Sequence, residues 1–170
     1  MPSPRPRVGV SACLLGDRVR YNGGHKRHDW LVETLGRAVD WAAVCPEVEI
    51  GLGTPRETIE LVRAADGRVL LQTSHTAVDL TERMHRYAVA RADALALLGL
   101  SGYVLKADSP SCGPAGVPVR GGAAGRGVFA EALMARLPDL PLADERDLDD
   151  PVRREAFVAR VRAYHAKMRP

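Results

Sequence analysis

The sequence predicts an α/β fold with a mainly parallel central sheet flanked by helices, Rossmann-like in plan. Three observations carry that reading. Short β-branched apolar runs alternate along the chain with segments whose apolar residues recur every three or four positions. Turn residues separate the two kinds of segment, and the strands are spaced for crossover helices rather than tight hairpins. The 170 residues, 46% hydrophobic and 26% charged, suffice for one core, so a single domain over residues 1–170 is expected.

The elements follow in order. The run Arg7–Leu15 (RVGVSACLL) is a first strand ending near Cys13, stopped by Gly16. A polar loop leads to Asp29, which is placed to cap a helix over 29–39 with Leu31, Leu35 and Val39 four apart. WAAVCPEV is a second strand, ended by the Cys45–Pro46 step because proline donates no ladder hydrogen bond. Residues 58–73 form a hairpin about Asp66-Gly67. Asp79 caps the clearest helix, with Leu80, Met84, Tyr87, Ala88, Leu95 and Leu98 on one face. GYVLK is a third core strand, cut short by the turn residues ADSPSCGP. Gly127 opens a helix carrying Phe129, Leu133 and Leu137. A last helix starts at Asp150-Pro151 with Phe157, Val161, Tyr164 and Met168 inward.

Composition narrows the function classes. A net charge of +3, with 24 basic and 21 acidic residues interspersed, gives no basic stripe for nucleic acid. No run approaches the roughly 20 apolar residues of a membrane span, and the N-terminus MPSPRPR leads into no secretory h-region. The chain therefore reads as cytoplasmic, where thiols stay reduced.

That makes the three cysteines informative. Cys13, Cys45 and Cys112 each fall at or just past the end of a predicted core strand, and open α/β sheets bind ligands beyond the carboxyl ends of their strands. A buried cysteine is often a small hydrophobe. Here Cys45 precedes Pro46-Glu47 and Cys112 lies between Pro110-Ser111 and Gly113-Pro114, which are loop settings for a ligating or reactive thiol. Zinc and an iron-sulfur cluster are both candidates for three converging thiolates. A structural zinc closes with four protein ligands, and neither Cys-x-x-Cys nor His-x-x-x-His spacing occurs. Clusters take cysteine thiolates, usually four, and three would leave one iron open as a Lewis acid.

Three motifs carry a resemblance: SACLLGDRVRYNGG at 11–24, CPEVEIGLGTPR at 45–56 and LKADSPSCG at 105–113. Together, with GVFAEALM and the Asp-Pro start of the last helix, they resemble the 2-thiouracil desulfidase family over most of the chain. CPEVEIGLG, LTERM and DPVRREAFVARVRAY are most similar to members in which a second domain follows. The resemblance implies a 4Fe-4S cluster held by Cys13, Cys45 and Cys112, a small thiolated substrate such as 2-thiouracil, and non-redox replacement of sulfur by oxygen with release of hydrosulfide.

The other motif residues suit such chemistry. Glu47 is the first choice for activating water or moving a ring proton; the alternative is a carboxylate that caps the next element. Ser109 and Ser111 flank the third cysteine and are candidates for catalysis or for tuning the metal group, or else simply brace the turn. Tyr21, Asn22, Arg56, Lys106 and Asp108 are candidates for substrate binding. Asn22 stands where the commonest family form has aspartate, and asparagine is neither acid nor base. His25-Lys26-Arg27-His28 reads as a solvated basic loop rather than a phosphate site. The glycine-rich stretch 113–127 could cradle an anion at a helix N-terminus or act as a lid. Two other functions compete: a redox-sensing module, and a cysteine-nucleophile hydrolase, which would need an activating histidine that the motifs lack.

Overall fold

The computed structural model describes residues 4–169. In chain order the elements are β1 (Arg7–Ser11), α1 (Asp29–Glu33), β2 (Asp40–Val44), α2 (Pro46–Glu49), β3 (Ile59–Arg63), β4 (Val69–Thr73), α3 (Thr81–Leu97), β5 (Leu100–Leu105), β6 (Val119–Arg120), α4 (Val128–Arg136), β7 (Leu142–Asp144) and α5 (Pro151–Lys167). The main sheet is wholly parallel in the order β2-β1-β5-β7. The predicted fold class holds. The chain leaves β1 to one side for β2 and returns on the other for β5, which places a topological switch point at the carboxyl ends of β1 and β5.

Both faces of this sheet are covered. Val8 and Val10 of β1 pack with Leu31, Leu35, Val104, Phe157 and Val161, so α1 and α5 share one face. Tyr103 and Leu105 pack with Ala88, Leu95, Phe129 and Leu133, so α3 and α4 cover the other. The Tyr103 ring lies across Gly9, its register partner, where any Cβ would sit 2.1 Å from the ring. Glycine is therefore required in the middle of β1 for close packing.

The hairpin predicted about Asp66-Gly67 forms from β3 and β4, and β6 joins it parallel to β3, making a second sheet in the order β4-β3-β6. Its own apolar cluster joins Leu61 and Leu71 to Leu80 and Met84 of the α3 region.

Several elements differ from expectation. The helix expected over 29–39 breaks at Thr34 into α1 and a 3-10 turn at Leu35–Arg37, and Gly36 lies tightly against Trp41 and the Leu31 carbonyl. Cys13 sits in a 3-10 turn, Ala12–Leu15, rather than in the strand. Asp79 precedes the α3 cap by one residue, yet its Oδ1 accepts the Thr81 N–H at 2.9 Å. Leu98 and Met168, both expected inward, are 41% and 40% exposed because each lies beyond the last turn that touches the sheet. Asp150 does cap α5, accepting from Val152 and Arg153, with Pro151 at the first position. Among the described residues no helix is long and apolar enough to cross a membrane.

Candidate functional site

The three loops that leave β1, β2 and β5 meet at the switch point around a cleft of roughly 370 Å³. All three cysteines line it. So do Glu47, Ser109, Ser111, Tyr21, Arg56, Lys106 and Asp108. Asn22 does not: its Oδ1 accepts the Gly24 N–H at 2.9 Å and braces its own turn. No histidine is among the lining residues, so the thiols have none of the usual imidazole activator for a nucleophile.

Each cysteine is placed by local backbone bonds. Cys13 follows the buried end of β1, and its carbonyl accepts from Gly16 and Lys26. Cys45 is the N-cap of α2, with its N–H donated to Glu49 at 3.2 Å and Pro46 at the first helical position. Cys112 is held from the other side by α4. The N–H groups of Gly127, Val128 and Ala130 donate to the carbonyls of Gly113, Pro110 and Ser111. The α4 N-terminus is thus spent on the cysteine loop and is not open to an anion. The glycine-rich stretch is no free lid either, since it contains β6 and a Val117–Gly125 bridge.

The serines beside Cys112 form a directed chain. Ser109 Oγ accepts from the N–H of Ser111 (3.2 Å) and of Cys112 (3.0 Å), which fills its acceptor capacity. Its own hydrogen then points to Ser111 Oγ at 3.1 Å, and Ser111 donates to the Cys112 sulfur at 3.9 Å. Ser11, the first residue of the 11–24 motif and not singled out in it, is buried at the end of β1, where its Oγ accepts the Lys106 N–H at 2.9 Å.

The charges in the cleft are paired. Arg56 Nη2 donates to Glu47 Oε2 at 2.7 Å, with the two side chains 5% and 19% exposed, and Nη1 donates to the Gly53 carbonyl. Glu47 Oε1 makes no hydrogen bond among the described residues. Lys106 Nζ pairs with Glu145 at 2.5 Å, and Asp108, at a positive φ of 61°, pairs with Arg146 at 3.4 Å. Arg20 lies 5.5 Å over the Tyr21 ring, a cation-π contact at the cleft. In the basic loop, Arg27 pairs with Asp29 and Glu33, and the half-buried His28 lies within hydrogen-bond distance of Asp149, so these side chains are engaged by the loop's own surroundings.

Burial dominates the thiols. It pushes Cys13 up to about 11, against the pull of the Lys106 charge, and Cys112 up to about 12, against the Ser11 hydrogen bond. Cys45 is raised in the same way. Such thiols become anionic ligands only when cationic metal offsets the desolvation. Among the described residues no three His, Cys, Asp or Glu side chains stand close enough for a single ion. A tetrahedral zinc would draw its sulfurs to about 3.8 Å from one another at Zn–S distances near 2.3 Å. Three thiols spread around a cleft, with the Ser111 hydroxyl donating to one of them, suit a polynuclear cluster, whose corners are separate metal atoms.

Comparison with known proteins bears on the same site. The model of the 2-thiouracil desulfurase family matches residues 8–145. The uncharacterised protein YbbK of Bacillus subtilis (strain 168) is 32% identical over 136 residues, which is 75% of this chain and 86% of that protein. The solved structure of the 4Fe-4S-dependent thiouracil desulfidase TudS is similar at a TM-score of 0.65 and 32% identity, covering 85% of this chain and 94% of that one.

Proposed function

The chain belongs to the 2-thiouracil desulfurase family, and from that premise we propose that it is a 4Fe-4S-dependent desulfidase of thiouracil-like compounds, with the cluster held by Cys13, Cys45 and Cys112. The overall reaction is C=S + H₂O → C=O + HS⁻ + H⁺, with no net electron transfer. The observation that carries the proposal is the convergence on one cleft of three thiols, two buried and Cys45 half-buried, from the loops that follow three adjacent strands.

When bound, the cluster would supply an iron corner without a cysteine ligand, a Lewis acid toward the thiocarbonyl sulfur. The chain's own residues do the rest. Glu47 takes the proton from the attacking water: Arg56 fixes one carboxylate oxygen and leaves the other without a protein partner, which is the geometry of an oriented base. Ser109 cannot accept further hydrogen bonds and so acts as a donor, delivering its hydrogen toward Ser111 and the sulfur side of the cleft. Tyr21 offers a ring face to a flat heterocycle, and its carbonyl, accepting the Arg56 N–H at 2.7 Å, ties that platform to the Glu47 pair.

Anaerobic purification followed by iron and acid-labile sulfide determination tests the cofactor, and incubation with 2-thiouracil tests the reaction through release of sulfide and uracil. Iron-free anaerobic protein would refute the assignment. An intact cluster without sulfide release from any thiolated pyrimidine would refute the enzyme and favour sensing.

A further inference from the structure

Glu145 lies outside the cleft lining and yet grips two groups at its wall. It follows β7, whose register beside β5 pairs Asp144 with Leu105, so Glu145 comes level with Lys106. One carboxylate oxygen accepts the Lys106 ammonium at 2.5 Å and the other the Ala107 N–H at 2.7 Å. The turn that carries it is bonded in turn: Asp144 Oδ1 accepts from the N–H of Arg146 (2.9 Å) and Asp147 (3.1 Å), and Asp147 Oδ2 accepts the Asp144 N–H at 3.1 Å. Lys106 Nζ also donates to the Ala107 carbonyl at 2.9 Å. The Lys106 and Glu145 side chains are 20% and 15% exposed, so neither is a freely solvated surface charge.

The pair has a direction. Lys106 lines the cleft and Glu145 does not, so its positive end faces the cysteines. A lysine has a flexible stem, and the site of its charge must be imposed by a partner.

We propose that Glu145 is a positioning residue for the reaction, holding the Lys106 ammonium at the wall of the cleft that the three cysteines line, where it stabilises the sulfur anion released from the substrate. This rests on the desulfidase reading above.

The test uses anaerobically prepared, cluster-loaded protein, comparing wild type with K106M, E145Q and E145A by iron content, cluster reduction potential and kinetics on 2-thiouracil. Iron-free wild-type protein would end the desulfidase reading itself, a result distinct from those that follow. Reduction adds negative charge, so removing the lysine charge moves the potential to lower values. A Glu145 that acted only as a nearby anion would raise the potential when neutralised. Positioning predicts the opposite sign: E145Q and E145A both fall toward the K106M value, and K106M/E145Q falls no further than K106M. kcat drops about tenfold to a hundredfold while KM stays within about twofold, as expected for a group that orients another. Glutamine still offers an acceptor to the Ala107 N–H, so E145Q decides the matter if E145A fails to hold iron. A raised or unmoved potential in E145Q overturns the proposal, and so does a fall confined to E145A, which would assign Glu145 to the loop alone.

Discussion

Ser109 and Arg56 show how much of the site is decided at single atoms. Replacing Ser109 by alanine leaves the Ser111 and Cys112 N–H groups without their acceptor and removes the hydrogen that, among the described residues, reaches Ser111 Oγ. Loss of roughly 1–2 kcal/mol of stability is expected, together with slower sulfide release; unchanged turnover would deny Ser109 its donor role. Arg56→Met leaves Glu47 part-buried and unpaired. About 2 kcal/mol of stability should be lost in denaturant titration, below the 3–5 kcal/mol of a fully buried pair because Glu47 still meets solvent. Each cysteine-to-serine variant should lose iron, measured per chain against wild type. At this scale the sequence was most informative for Cys13, Cys45, Cys112, Glu47 and the two serines, which share compact motifs with turn residues. Glu145 and Ser11 escaped because nothing in an acidic stretch such as ADERD, or in one serine at a strand end, shows that they touch residues 38 and 95 positions away.

At the scale of elements, the cysteine loop and α4 behave as one unit, joined through Gly127. Its backbone, at φ −61° and ψ 144°, would suit any residue, but a Cβ there would stand 2.5 Å from the Ser111 carbonyl group and 2.8 Å from the Cys112 nitrogen. Gly127→Ala should therefore lower thermal stability by about 1–3 kcal/mol and reduce iron loading. Strands β1, β2 and β5 were legible because their apolar runs end in punctuating residues. β6 and β7, of two and three residues, are too short to show any period, and only pairing with longer neighbours makes them strands. Helix 29–39 was overcalled: its four-residue spacing is real, but the contact of Gly36 with Trp41 sets a tighter turn at its end.

For the molecule as a whole, acid should be the first solvent stress it feels. Backbone hydrogen bonds from Arg68 hold Asp66 below the usual carboxylate range, and the Thr81 side chain does the same for Asp79. Bonds from Thr76 and His75 lower Glu57 despite an opposing desolvation. A carboxyl depressed on folding contributes stability that is complete above its unfolded pKa, about 4, and is lost as pH falls through the lower folded value. Melting temperature should thus be flat from neutral pH to about 5 and decline below 4, with Asp79→Asn showing a shallower decline; a parallel curve for that variant would contradict it. The predicted α/β plan was readable because alternation of periods is a property of long stretches. The hairpin of the second sheet was readable as well, but its third strand was not, since β6 is supplied by a glycine-rich loop that carries no strand signal.

Cys45 and Cys13 follow closely on the ends of β2 and β1, neighbours in one sheet, so strand spacing of about 4.8 Å gauges the distance between their loops, while Cys112, farther past β5, takes its place from α4. Cys13 and Cys112 are themselves members of the apolar clusters that cover the two faces of the sheet. The seat is therefore continuous with the core, and a change at either thiol is felt by the packing of the sheet as well as by whatever the cleft holds.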